Sequence, residues 1–291
     1  MPSWSGDAMA LGCALAWAVA VISFRRLEKL PPTAVNLFKN AVATALLLLT
    51  MAGLGRAPDL GRSAGDWLSL VVSGVLGLAV ADTLFLAGLR RIDASVAAVA
   101  DCAYSPTVVV LSAVFLDEPL AAGLLLGGPL VVLGLLVVSH RRRDDTRPID
   151  RTGLGLVIAG VVTTAVGVVV AKPALDRSDL LEATTIRLAS GSIALLVFEI
   201  ARGKREEVLS LFRPQPAWRA ALVATFFGTY VSMILWLGGM KYGTASRAAL
   251  LNQMGAIFVL VLSRVSGEAV PARRWIGAAI AVSGVAVILL G

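Results

Sequence analysis

The sequence predicts an all-α integral membrane protein whose ten transmembrane helices form two inverted five-helix repeats. Three observations lead there: the apolarity of the chain, its division into ten apolar segments, and the recurrence of one half in the other. Of the 291 residues, 57% are hydrophobic and only 15% charged, and the mean hydropathy is +0.83. Soluble domains carry roughly a quarter charged residues. So few charges do not cover a water-facing surface, and the solvent for most of the chain is a bilayer.

The ten segments are Ala8 to Phe24, Ala34 to Leu54, Trp67 to Leu89, Ala94 to Leu116, Ala121 to Ser139, Thr152 to Ala171, Leu180 to Ala201, Ala217 to Met240, Ala245 to Val265 and Trp275 to Leu290. Each suits a helix crossing about 30 Å of hydrocarbon, which takes roughly 17 to 25 residues and satisfies its own backbone. The first segment has no basic stretch ahead of it and runs into Arg25 and Arg26 without a convincing cleavage site. It is therefore read as a span and not as a signal peptide. Cys13 and Cys102 both fall inside spans, which offers neither a disulfide framework nor a CxxC site and makes them small packing side chains. The connections are short, so function is expected within the bundle.

The repeat is visible in two hairpins about 150 residues apart: Phe85 to Glu118 (FLAGLRRIDASVAAVADCAYSPTVVVLSAVFLDE) and Trp236 to Glu268 (WLGGMKYGTASRAALLNQMGAIFVLVLSRVSGE). Gly127 then matches Gly277 and Gly134 matches Gly284, while Asn36 to Leu49 lies over Thr184 to Val197 and sets Lys39 on Arg187. The expected units are residues 1–143 and 144–291. Five spans is an odd number, so the second unit enters the membrane in the opposite sense. Such inverted repeats suit alternating access around a site between the halves; the competing view is a scaffold merely enlarged by duplication.

The net charge of +7 does not indicate nucleic acid, because the basic residues sit in loops beside apolar segments, where membrane topology explains them. Loops after odd-numbered segments hold 18 Lys and Arg, and loops after even-numbered segments hold six. The positive-inside rule then places the odd loops in the cytoplasm and both termini outside.

Among the ionisable residues within apolar runs four stand out: Lys39, Asp82, Asp101 and Arg187. Such groups are costly in lipid and mark a pathway or a paired site. Asp82 and Asp101 flank the Arg90 to Asp93 turn, which at about 1.5 Å per residue puts both some 13 to 15 Å deep. Lys39 enters from the same side, within reach of either carboxylate. One expectation is that Asp101, just ahead of Tyr104 and Pro106, exchanges a proton for a substrate amine. The other is a Lys39 to aspartate bridge that only fixes packing, with Asp82 the better structural partner. In the second half Met233 stands at the Asp82 position and Asn252 at that of Asp101, followed by Gln253. These amides suit hydrogen bonding to a polar solute or linking of helices. Arg187 suits a carboxylate or phosphate fork, against the alternatives of snorkelling or pairing with Glu182. Trp17, Tyr230 and Trp236 either wall a cavity or anchor at the interface. The glycines, including Gly123 with Gly127 and Gly74 with Gly77, are expected to pack helices closely.

These residues resemble the EamA type of drug/metabolite transporters over essentially the whole chain. The resemblance rests on Trp17 after a small residue, Lys39 in the second segment, Ala94 and Ser95 opening the fourth, Pro106 within it, Glu118 closing it, and the glycines of the fifth. The second half repeats Ala245, Ser246, Glu268, Gly277 and Gly284, but Ile257 stands where the counterpart of Pro106 would be, which leaves a bend in the ninth segment open. The resemblance implies a ten-span transporter, and it implies cytoplasmic termini, against the charge count. The expected location is a bacterial cytoplasmic (inner) membrane.

The only histidine is His140, and no HExxH, DxxxD or GxxxxGK[ST] motif occurs, so neither an enzyme nor ATP coupling is expected. No cofactor or metal is expected. The reading is a secondary transporter, a proton-coupled exporter of amino acids, amines or similar solutes, with a lipid-linked substrate flippase or a proton-independent facilitator or exchanger as rivals. Its partners are protons, a small-molecule substrate and the bilayer. One chain holds both halves, so a monomer suffices and a dimer is allowed.

Overall fold

The computed structural model describes residues 4–56, 59, 61–116, 123–139, 150–242 and 251–290, and every regular element among them is helical. Glu118, His140, Ala245, Ser246 and the expected junction at 143/144 lie outside the described residues. Helices α1 (Trp4–Arg25) and α2 (Pro32–Gly53) open the chain. Pro32 begins α2, where a missing N–H leaves nothing unbonded. The third span is α3 (Ala64–Gly74), a π-helical stretch over Val75–Ala81, and α4 (Asp82–Leu89). The fourth is α5 (Ala94–Asp101) and α6 (Tyr104–Phe115), separated by a turn at Cys102 and Ala103. Then follow α7 (Leu124–Ser139), α8 (Arg151–Asp176) and α9 (Leu180–Ala201). Asp150 and Asp179 cap α8 and α9 by accepting first-turn backbone N–H groups.

Next come α10 (Arg205–Val208), α11 (Trp218–Thr225), a second π-helical stretch over Phe226–Val231, α12 (Ser232–Tyr242), α13 (Gly255–Val265) and α14 (Ala272–Leu290). Among the described residues, seven helices are long and apolar enough to cross a membrane, and two shorter apolar ones span Leu125–Val138 and Gly255–Val265. The outer surface carries side chains that water would penalise, such as Leu125 (81% exposed) and Val265 (79%). Apolar outside and polar within is the arrangement lipid imposes. The chain is an integral, multi-pass membrane protein.

Two boundaries differ from expectation. Helix α8 continues through Pro173 to Asp176 instead of stopping at Ala171, and a Lys172 to Asp176 pair at 2.6 Å ties its last turn. The stretch after α9 was expected to be loop, yet Val208 and Leu211 are fully buried there, in α10 and a short 3-10 turn.

Glycine sets the packing. A Cβ on Gly134 would lie 2.6 Å from the Gly277 carbonyl oxygen, and one on Gly284 would lie 2.6 Å from that of Gly127. Helices α7 and α14 therefore cross antiparallel with backbones in contact, and the residues matched by the repeat meet reciprocally. Helix α1 packs along the second π stretch and α12, as α8 packs along the first π stretch, α3 and α4. At one end of the bundle Arg56 pairs with Asp179 (2.7 Å), Arg62 with Glu182 (2.8 Å) and Arg177 with Asp66 (2.5 Å); at the other Arg274 pairs with Asp93.

Candidate functional site

A cavity of about 180 Å³ lies inside the bundle, lined from both halves. Trp17, Lys39, Asp82, Asp101, Tyr104, Arg187, Trp236, Asn252 and Gln253 all line it, together with Met233. Tyr230 does not: its hydroxyl bonds to that of Thr50 at 2.7 Å and its ring lies tilted against Phe226.

Both π stretches reach the cavity wall, through Gly77 and Leu78 in the first half and Gly228 and Thr229 in the second. A π turn disturbs the regular i to i−4 ladder and recurs at functional sites. Here the displaced carbonyls are answered from α2. Asn36, fully buried, donates through Nδ2 to the carbonyls of Leu78 (2.8 Å) and Ala79 (3.0 Å) and to the Thr83 hydroxyl (2.8 Å). Asn40 donates to the Leu78 carbonyl (3.0 Å) and to Asn36 Oδ1 (2.9 Å). Between them in sequence, Lys39 points to Asp82, with Nζ 2.5 Å from Oδ2 and 2.8 Å from the Asn40 amide oxygen. The Lys39 pairing is thus with Asp82 and not with Asp101.

Asp101 ends α5 at the helix break, half-buried, and shares the cavity wall with Trp17. Trp17 in turn lies against Phe85, with ring centroids 5.7 Å apart. Pro106 sits in the first turn of α6, where its missing N–H costs no bond. The ninth segment is interrupted as well, at Gln253 and Met254 just before α13, without a proline. The question left open by Ile257 is answered: the ninth segment breaks without a proline, and Gly255 opens α13 after the turn. Gln253 donates to the Ser105 hydroxyl at 2.9 Å, joining the two breaks across the repeat, and Asn252 Oδ1 is buried without a partner.

Arg187 is 3% exposed and faces the cavity. Close contact of α9, through Arg187 and Gly191, with Gly74 of α3 brings it there, and a Cβ on Gly77 would meet its Nη2 at 3.5 Å. It neither snorkels nor pairs with Glu182, which belongs to Arg62. Sequence reasoning passed over Asn36, Asn40, Thr164 and Ser232. The amides left a signal, two polar side chains four apart in an apolar run. The hydroxyls left none: Thr164 and Ser232 line the cavity but bond to their own helix, at the carbonyls of Gly160 and Gly228.

A charged cavity within an apolar multi-helix bundle is the arrangement a membrane transporter needs. The comparisons agree. The EamA-like transporter family matches twice, at residues 4–140 and 151–290, and the chain belongs to that family. It is 22% identical over 250 residues to a Bacillus subtilis (strain 168) protein called the uncharacterized transporter YyaM, covering 85% of this chain and 80% of that one. A solved crystal structure, described only as that of a protein, superposes with a TM-score of 0.70 at 18% identity, over 98% of this chain and 96% of its own. That likeness concerns the fold alone.

Proposed function

We propose that the protein is a secondary active transporter of a small organic metabolite, a proton-coupled exporter of amino acids, amines or similar solutes working by alternating access in a bacterial inner membrane. The observation that carries this reading is a cavity walled by residues of both halves, with a carboxylate, Asp101, at a helix break. One carboxylate holds either a proton or an ammonium group, and that exclusivity is what exchange requires. Beside Trp17 and Asp101 on the cavity wall, Lys39 and Asp82 form the adjoining proton-handling pair, and Tyr104, Trp236, Asn252, Gln253 and Arg187 contact the solute.

We take the chain as ten spans in two inverted repeats, residues 1–143 and 144–291. The reciprocal, antiparallel glycine crossing of α7 with α14 supports inversion, as do the two π stretches about 150 residues apart. The halves rock about that crossing, opening the cavity to one side and then to the other. The loops after odd-numbered spans face the cytoplasm. Counterflow in proteoliposomes tests the reading: external radiolabelled amino acids or amines should accumulate against unlabelled solute of the same class loaded inside. Uptake no greater than in empty liposomes for every solute class would end it.

A further inference from the structure

Buried cations in this bundle come with counterions. Lys39 has Asp82, Arg274 has Asp93, and Arg62, 5% exposed at its side chain, has Glu182. Arg187 is the exception among the described residues. No carboxylate lies within ion-pair distance and none of its three guanidinium nitrogens donates a hydrogen bond, Nε being buried and unsatisfied. The neighbouring carboxylates are already engaged: Asp82 by Lys39, and Glu182, on the same helix, by Arg62. Asp101 and Tyr104 line the same cavity, with no ion pair to Arg187 among the described residues.

A guanidinium held in a bilayer-spanning helix without an anion is expensive. Here it is fixed in place by backbone contact between α9, at Arg187 and Gly191, and Gly74 at the end of α3. Its planar fork matches a carboxylate with two parallel donors. We infer that Arg187 is the anion subsite of the cavity and that the transported solute carries a carboxylate which docks there. This rests on the transport reading above and narrows it: solutes with an ammonium group alone are not the cargo. Asn252 Oδ1, also unpartnered on the cavity wall, accepts from a donor on the same solute.

Purified protein in detergent, in a carboxylate-free buffer, would be melted with three pools: 2-amino acids, the amines left by their decarboxylation, and the acids left by their deamination. Inorganic phosphate would be run beside them. Wild type, Arg187→Gln and Arg187→Lys are compared. A carboxylate-bearing pool should raise the wild-type melting temperature while the amines do not. Arg187→Gln should weaken that response at least tenfold in concentration, and Arg187→Lys should restore part of it. Because an unpaired charge is being removed, ligand-free Arg187→Gln should melt at or above wild type, which a structural arginine would not allow.

A ligand-free loss of stability in Arg187→Gln, an undiminished response in that variant, a response to amines or phosphate alone, or no response from any pool would each overturn the inference. Counterflow separates this from failure of the transport reading. Amines moving equally through wild type and Arg187→Gln would remove the anion subsite and leave a transporter. No movement of any pool would remove both.

Discussion

Replacing Asp82 with asparagine should isolate the energetic role of the Lys39 pair. The two groups are 2.5 Å apart, with side-chain exposures of 7% and 21%. In Asp82→Asn the ammonium keeps its bond to the Asn40 amide but loses its countercharge. Breaking a buried pair by removing one member costs about 3–5 kcal/mol, mostly for the stranded charge. Asp82 opens partly onto the cavity, where screening reduces the loss, so about 2–3 kcal/mol is expected. Removing both charges, as Lys39→Met with Asp82→Leu, should return stability to within about 1 kcal/mol of wild type, since desolvation and attraction then vanish together. The assay is equilibrium unfolding in mixed detergent micelles, with solute-driven proton flux measured on the same preparations. The double variant should fold and yet lose proton coupling. A single variant within about 0.5 kcal/mol of wild type, below the range for a buried pair, would refute the reasoning. So would a double variant no more stable than the single.

Gly134→Ala places a methyl 2.6 Å from the Gly277 carbonyl oxygen and 2.8 Å from the Ala281 Cβ. It should cost about 1–3 kcal/mol in the same unfolding assay, and Gly134→Val more, because backbone on both sides cannot yield. Asn36→Ala removes three donated bonds. The Leu78 and Ala79 carbonyls keep one partner each, from Asn40 and Thr83, so the loss should be about 1–2 kcal/mol. Faster amide exchange confined to residues 75–83 would locate that loss at the π turn.

Much of the architecture is written in hydropathy, which records the solvent a segment meets. Leu180 to Ala201 was bounded correctly because capping by Asp179 and the apolar run coincide. Position-by-position repetition exposed the glycine pairs and made Arg187 visible as the partner of Lys39. Hydropathy does not record how a helix is wound. In the first π stretch Asn36 and Asn40 answer carbonyls from another helix, a tertiary relation that no local pattern encodes. The break before α13 was left open for a related reason: proline is a local signal, and Ile257 carries none. Nine of the ten nominated residues line the cavity because ionisable and amide groups in lipid have few other places to go. Tyr230 follows the other rule for aromatics: with Thr50 available to its hydroxyl, it packs between helices.

Exchange of a proton for solute at Asp101 is the centre of the account, and the most direct measurement is proton flux in proteoliposomes under an imposed pH gradient, wild type against Asp101→Asn. Addition of a transported solute should trigger proton movement in the wild type. The asparagine variant should fold and give at most about a hundredth of that flux, the scale of losing a proton-transfer group. Equal solute movement in both proteins with no proton signal in either would contradict the account and leave Asp101 a structural residue.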